Sequence, residues 1–226
     1  MGKINFVLKR LFSYIIPINI HKQKSSVSKN LEITWTNGEL VLDSKNTNYS
    51  YGSLQRILRK GLDSIGFKTI LKMEHIIVLG VAGGSVIKTL TEEIKFKGRI
   101  TGVEIDPEII KIANSYFNLD KISNLEIVID DAFEFVLKTK NKYDLIIIDI
   151  FQDTTMPNFL FEEFFQNRTC FLLKDKGIIL FNTMCLSDKD NLRNKKYLEN
   201  VNTELYTART IPRVEEHNEL IILEKK

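Results

Sequence analysis

Four short segments carry the chemistry that this chain can offer a small charged molecule. The first is Gly80-Val-Ala-Gly-Gly-Ser85. Glycines let backbone approach a ligand closely, and a helix that follows offers its free amides. A plain strand-to-helix turn uses glycines in the same way, so both readings stand. The second is Val103-Glu104-Ile105-Asp106-Pro107, with Glu104 placed 24 residues after Gly80. A carboxylate at that spacing can accept hydrogen bonds from both hydroxyls of a ribose. Asp106 reads as the cap of a helix that has Pro107 in its first turn. Glu104 has no comparable structural use in the sequence. The third is Asp130-Asp131-Ala132. One acid can cap a short helix and the other can accept an exocyclic amine. The fourth is Asp149, followed by Asp153. An acid that ends a buried apolar run is costly to desolvate without a partner or a task. Asp149 could hold a cation, take a proton from an attacking amine, or cap a loop.

These segments need elements to place them. The apolar runs 75–79, 99–104, 125–129, 143–149 and 177–181 predict parallel strands. Helices are predicted over 84–94, 107–117, 132–139, 160–172 and 189–199. Strands over 203–210 and 219–223 are close enough to pair antiparallel. The run 143–149 is the most apolar and predicts the central strand. Five strand–helix units and a terminal antiparallel hairpin predict a doubly wound α/β sheet. Such sheets bind ligands beyond the carboxyl ends of their strands, where all four segments fall. Asp144, at the other end of its strand, reads as structural.

Ahead of this unit, residues 1–50 read as a small, basic, β-rich domain, with residues 51–226 as the second. A strand is expected over 13–20. Asn37-Gly38 between two apolar runs, 31–35 and 39–42, predicts a hairpin, with Trp35 packed beneath it. From Tyr51 onward, Leu54, Ile57, Leu58 and Leu62 have helical spacing. Phe161, Phe164 and Phe165 also share helical spacing and read as core. Phe151 and Phe159 flank the loop over the expected pocket and read either as core or as its wall.

Composition bounds the rest. Of 226 residues, 43% are hydrophobic and 27% charged, a globular balance. Two cysteines exclude a disulfide framework, and three scattered histidines offer no metal cluster. Net charge is +3, yet residues 1–30 hold six Lys or Arg and no acid, which leaves the remainder at −3. The body is therefore not a general nucleic-acid binder. The basic start reads either as a solvated leader or as a contact for an anionic partner or membrane surface. No apolar run is long enough to span a membrane and no cleavage signal follows the first residues, so a cytoplasmic location is expected.

The glycine turn at 80–85, Val103-Glu104-Ile-Asp106, Asp130-Asp131-Ala132, Tyr143-Asp-Leu-Ile-Ile-Ile-Asp149 and Leu160-Phe161-Glu-Glu-Phe164-Phe165 together resemble one family. It is the class I S-adenosylmethionine-dependent methyltransferases, and within them the spermidine synthase (polyamine aminopropyltransferase) branch. The resemblance spans about residues 31–224. It implies a Rossmann-like fold with a seven-stranded, mostly parallel sheet behind a small N-terminal β-hairpin domain. It implies S-adenosylmethionine or its decarboxylated form as cofactor. Gly80, Ala82 and Gly84 would line that cofactor. Glu104 and Ile105 would hold its ribose side, Asp131 and Ala132 its adenine, and Asp149 and Asp153 would be catalytic, with Asp149 also touching the cofactor. The acceptor would be a small molecule, a polyamine in that branch, and a homo-oligomer is implied as well. The chain departs from the branch in three places. Gly83 stands where the branch carries an acid that helps to hold the aminopropyl donor. Asp149 and Asp153 are four apart rather than three. Tyr49-Ser-Tyr51-Gly-Ser53 replaces an acidic junction motif. The expected activity is transfer of a methyl or aminopropyl group to an amine. The competing expectation is a nucleoside-binding module without turnover, and a nicotinamide dehydrogenase is disfavoured by the missing G-x-G-x-x-G.

Overall fold

The computed structural model describes residues 3–25, 27, 30–43, 48–151 and 155–226. Helix α1 (Lys3–Phe12) leads into a four-stranded antiparallel sheet of β1 (Ile18–Gln23), β2 (Leu31–Thr36), β3 (Glu39–Asp43) and β4 (Asn48–Ser50), in that spatial order. Asn37 and Gly38 both have positive φ, 50° and 76°, as a two-residue hairpin turn requires. Leu31, Ile33 and Trp35 alternate inward along β2. Leu31 and Ile33 pack with Leu42 against Ile109, Ile112 and Phe117.

The start of the chain corrects two expectations. Residues 3–12 are helical, and the strand expected over 13–20 begins only at Ile18. Ser13 explains the delay. Its hydroxyl donates to the Arg10 carbonyl at 2.6 Å and accepts from the Gly38 amide at 2.9 Å, which holds a turn where a strand would need free backbone. The expected hairpin is also half of a larger sheet.

Helix α2 (Gly52–Ile65) buries Leu54, Ile57, Leu58 and Leu62, as their spacing predicts. After the short α3 (Phe67–Ile70) comes the main sheet. Its strands are β5 (His75–Leu79), β6 (Arg99–Glu104), β7 (Leu125–Ile129), β8 (Tyr143–Ile148), β9 (Leu173–Met184), β10 (Tyr206–Val214) and β11 (Asn218–Lys225). The spatial order is β10-β11-β9-β8-β5-β6-β7, with β8 central. The pairs β9·β8, β8·β5, β5·β6 and β6·β7 are parallel, and β11 runs antiparallel to both of its neighbours. This is the expected mostly parallel α/β sheet with a terminal antiparallel hairpin.

The connecting helices are α4 (Ser85–Lys88), α5 (Pro107–Phe117), α6 (Ala132–Lys138), α7 (Glu163–Phe171) and α8 (Asp188–Glu199). Alternate strand residues face opposite layers. Ile76, Val78, Leu145, Ile147 and Leu180 enter one core, while Ile77, Leu79, Ile146, Ile148 and Phe181 enter the other.

Three elements differ in detail from the pattern. The helix expected over 84–94 changes from α to π geometry over Thr89–Glu93. The Thr89 and Thr91 hydroxyls donate to the carbonyls of Ser85 and Ile87, competing for the ladder there. Strand β9 starts four residues before the expected Gly177, because a bulge carries the polar Lys174-Asp-Lys sequence past Tyr143. The helix expected over 160–172 breaks at Glu162 between a 3-10 turn (Asn158–Phe161) and α7. That break resets the helical phase. Phe165, Gln166, Thr169 and Cys170 face inward, and Phe164 is 62% exposed rather than core.

Candidate active site at the switch point

Connections leave β5 and β8 toward opposite sides of the sheet, so the crevice of a doubly wound fold opens between their carboxyl ends. The Gly80 amide bonds to the Val103 carbonyl and the Asp149 amide to the Leu79 carbonyl, both at 2.9 Å. Gly80 and Asp149 thus face each other across the switch point. A Cβ on Gly80 would sit 2.2 Å from the Asp149 carbonyl oxygen, and its φ is +87°. Only glycine fits there.

The glycine turn then climbs through Ala82, whose φ of 47° is unusual for a residue with a Cβ. Glu104 holds it. Its Oε2 accepts from the amides of Val81 at 3.1 Å and Ala82 at 3.0 Å, and its Oε1 accepts from the Asp106 amide at 3.0 Å. Glu104 is 7% exposed, and burial raises its carboxyl above the usual range while these three amides pull it back. The residue does have a structural use, then. The sequence does not show it because two of its three partners, the amides of Val81 and Ala82, lie on another strand–helix turn more than twenty residues away. Next to it, directly after β6, Ile105 is 44% exposed.

Asp106 caps α5 as predicted, accepting from the Glu108 amide at 3.0 Å. Its second oxygen accepts from the Ser25 hydroxyl. At the end of β7 the two acids divide the work. Asp131 Oδ1 caps α6 through the Phe133 amide at 2.7 Å, and Asp130 accepts from the Asp131 amide at 2.9 Å. Ala132 opens α6 beside them. At the far end of the sheet, Asp144 accepts from the amides of Glu74 and His75 and pairs with Lys174 at 2.9 Å, a structural role as read.

Asp149 follows the last residue of β8. Its Oδ1 accepts from Asn182 Nδ2 at 2.9 Å, and Asn182 Oδ1 accepts from Asn218 Nδ2 at 3.0 Å. Burial pushes the Asp149 carboxyl up to about 7, against the opposing pull of the Asn182 amide. The three side chains cross β8, β9 and β11 at one sheet edge. Asn218 also lines a cavity of about 630 Å³ together with Cys185, Glu216 and Glu219. The sequence reading passed over Asn182 and Asn218. An asparagine in the apolar run Gly177-Ile-Ile-Leu-Phe-Asn182 was the available signal. Asp153 lies outside the described residues.

The junction between the two sheets packs against the glycine turn. The Tyr51 hydroxyl donates to the Gly83 carbonyl at 3.2 Å, and its ring stacks on Phe117 at 4.3 Å. Ser50 Oγ accepts from the Ser85 amide at 3.2 Å. A Cβ on Gly83 would meet Ser50 Cβ at 2.7 Å and Ser50 Oγ at 2.9 Å. The space a side chain at position 83 would need is filled. Phe159 is committed elsewhere, packed edge-on against Phe133 at 5.3 Å and Phe165 at 5.0 Å. Phe151 packs against the same core cluster.

Comparison with known proteins agrees with this architecture. A polyamine aminopropyltransferase from Vibrio vulnificus is 32% identical over 119 residues, 51% of this chain and 40% of that protein. An eEF1A lysine and N-terminal methyltransferase homolog from Drosophila melanogaster is 25% identical over 197 residues, 79% of this chain and 28% of that protein. The chain thus spans less than half the length of either relative. In fold it is similar to spermidine synthase from Thermotoga maritima, with a TM-score of 0.67 at 18% identity over 92% of this chain and 73% of that one. It is similar also to human methyltransferase-like protein 13 in complex with SAH, with a TM-score of 0.65 at 19% identity over 78% of this chain and 83% of that one. The model of the spermine/spermidine synthase domain matches residues 60–221, from within α2 into the last strand, and the chain therefore belongs to that family.

Proposed function

We propose that this chain is an alkyltransferase that takes a methyl group from S-adenosylmethionine and delivers it to an amine. The observation that carries the choice of methyl is the packing at Gly83. The aminopropyl donor ends in an ammonium with no carboxylate of its own, which calls for one in the glycine turn, whereas S-adenosylmethionine carries a carboxylate beside its ammonium. Here that position has no side chain, and Ser50 fills the room for one.

The residues at the crevice fit a nucleoside sulfonium. The turn at 80–84 offers backbone without bulk, Glu104 lies under it, and Ile105 gives an apolar face beside the carboxylate. Glu104 would take the ribose hydroxyls through the oxygen that accepts a single amide. Asp131 would meet the adenine amine through Oδ2, since Oδ1 holds the helix cap. When bound, the donor supplies an electrophilic carbon beside positively charged sulfur. The chain's own contribution is alignment, exclusion of water and one proton acceptor. Asp149 is that acceptor. A carboxyl poised at about 7 can take a proton from an ammonium or orient the free amine. The polyamine aminopropyltransferase relative favours a second reading, aminopropyl transfer to a polyamine.

Calorimetric titration with S-adenosylmethionine, its decarboxylated form and methylthioadenosine separates the two. Preference for S-adenosylmethionine, lost in Glu104→Ala, is expected. Preference for the decarboxylated donor would replace methyl by aminopropyl transfer. Binding of none of the three would remove the donor assignment and leave the nucleoside site without support.

A further inference from the structure

Helix α1 is docked the wrong way round for a helix of a globular protein. Its apolar residues recur at helical spacing through Val7, Leu8, Leu11 and Phe12, and Ile15 continues the spacing in the turn that follows. Such a stripe ordinarily faces the core. Here the polar edge faces the protein instead. Arg10 Nε donates to the Gly38 carbonyl at 3.0 Å, its guanidinium lies 6.0 Å from the Trp35 ring centre, and Ser13 bonds the same hairpin tip. The stripe is left in solvent. Leu11 is 60% and Ile15 80% exposed, and the patch runs on into Ile16. Contiguous exposed apolar surface of this kind marks an interaction site.

We propose that residues 7–16 lay this apolar face on an anionic lipid surface, with the antiparallel sheet carried behind the helix. Charge selects that occupant. Helix α1 carries Lys3, Lys9 and Arg10 and no acid. Lys22, Lys24 and Lys29 follow before the first acid, Glu32. A second copy of the chain packed on the same face would bring these like charges together, whereas anionic headgroups neutralise them. An apolar stripe flanked by lysine and arginine is the pattern of helices that lie in the membrane interface. Among the described residues no helix is long and apolar enough to cross a membrane, and α1 has ten residues, so the contact is parallel to the surface. The proposal stands apart from the assignment of the active site.

The test is co-sedimentation of the full chain with phosphatidylcholine vesicles, with and without phosphatidylserine, at low and high salt. We expect at least about tenfold tighter binding to the anionic vesicles, weakening about tenfold at high salt. The double variant Leu11→Ser/Ile15→Ser loses this binding and Lys9→Glu weakens it. The double variant changes only exposed side chains, so its thermal melt and donor titration stay as in the parent. Equal binding to both vesicle types overturns the proposal. So does binding retained by the double variant, and so does a concentration-dependent dimer that the double variant abolishes while vesicles bind neither form.

Discussion

Asn182 Nδ2 donates to Asp149 Oδ1 at 2.9 Å, which ties the carboxylate at the end of the central strand to the strand beside it. Asn182 is itself held by Asn218 at 3.0 Å. The donor favours the charged form of a carboxyl that burial drives up to about 7. The rate of alkyl transfer is therefore expected to rise with pH through about 7, as Asp149 becomes ionised. In Asn182→Leu that limb moves up by about one unit, and activity at pH 7 falls roughly fivefold. Asn182→Gln recovers part of it. A pH–rate profile of the three proteins checks this, and an unmoved limb in Asn182→Leu would separate the amide from the carboxyl.

The same carboxyl makes a stability prediction of opposite sign. Its folded value, about 7, lies above its ordinary value of 3.8. Its cost is absent below the ordinary value and grows as pH rises to the folded one. Asp149→Asn is expected to leave stability at pH 4 almost unchanged and to raise it at pH 8 by roughly 2 kcal/mol, half of the full linkage because the Asp149 side chain is only half-buried. Activity in the same variant falls by about a hundredfold or more. Urea melts at the two pH values test the sign.

Gly83→Asp restores a carboxylate to the glycine turn but drives its Cβ against Ser50 Cβ at 2.7 Å. We expect a loss of about 1–3 kcal/mol. Gly83→Asp/Ser50→Gly makes the room and recovers much of that loss. If the space at position 83 governs donor choice, the double variant also gains affinity for decarboxylated S-adenosylmethionine over the parent. Paired melts and donor titrations read both effects.

Glu104→Ala leaves three backbone amides, of Val81, Ala82 and Asp106, without their acceptor. Water entering the gap limits the damage to about 2–3 kcal/mol. Because Ala82 is held at positive φ by this contact, the turn loosens and donor affinity falls with stability. Amide hydrogen exchange at Val81 and Ala82 should accelerate in the variant while β7 stays protected.

Much of this molecule is legible in its sequence because the relevant signals are local. Apolar strand runs, the Asn37-Gly38 turn and Asp106 before Pro107 each act within a few residues, and each formed what it predicts. So did the alternation that puts Glu104, Asp131 and Asp149 at the carboxyl ends of successive strands. The misreadings were local too, but polar. Ser13 stopped a strand, the Thr89 and Thr91 hydroxyls changed a helix, and the break at Glu162 turned Phe164 outward. In each case a side chain or a change of helical phase competed with a hydrophobic pattern that carries no information about hydrogen bonding.

The doubly wound order of elements and the row of acids at one sheet edge follow from patterns local to the chain. What those acids touch depends on the assembled sheet. Asn182 lies 33 residues from Asp149, and Asn218 another 36 beyond. Ser50 and Ser85 are 35 apart. Strand order makes these residues neighbours, and strand order comes from packing two cores on opposite faces of one sheet. No spacing along the chain encodes that arrangement, so the filled space at Gly83 and the amide chain behind Asp149 emerge only when the sheet is assembled.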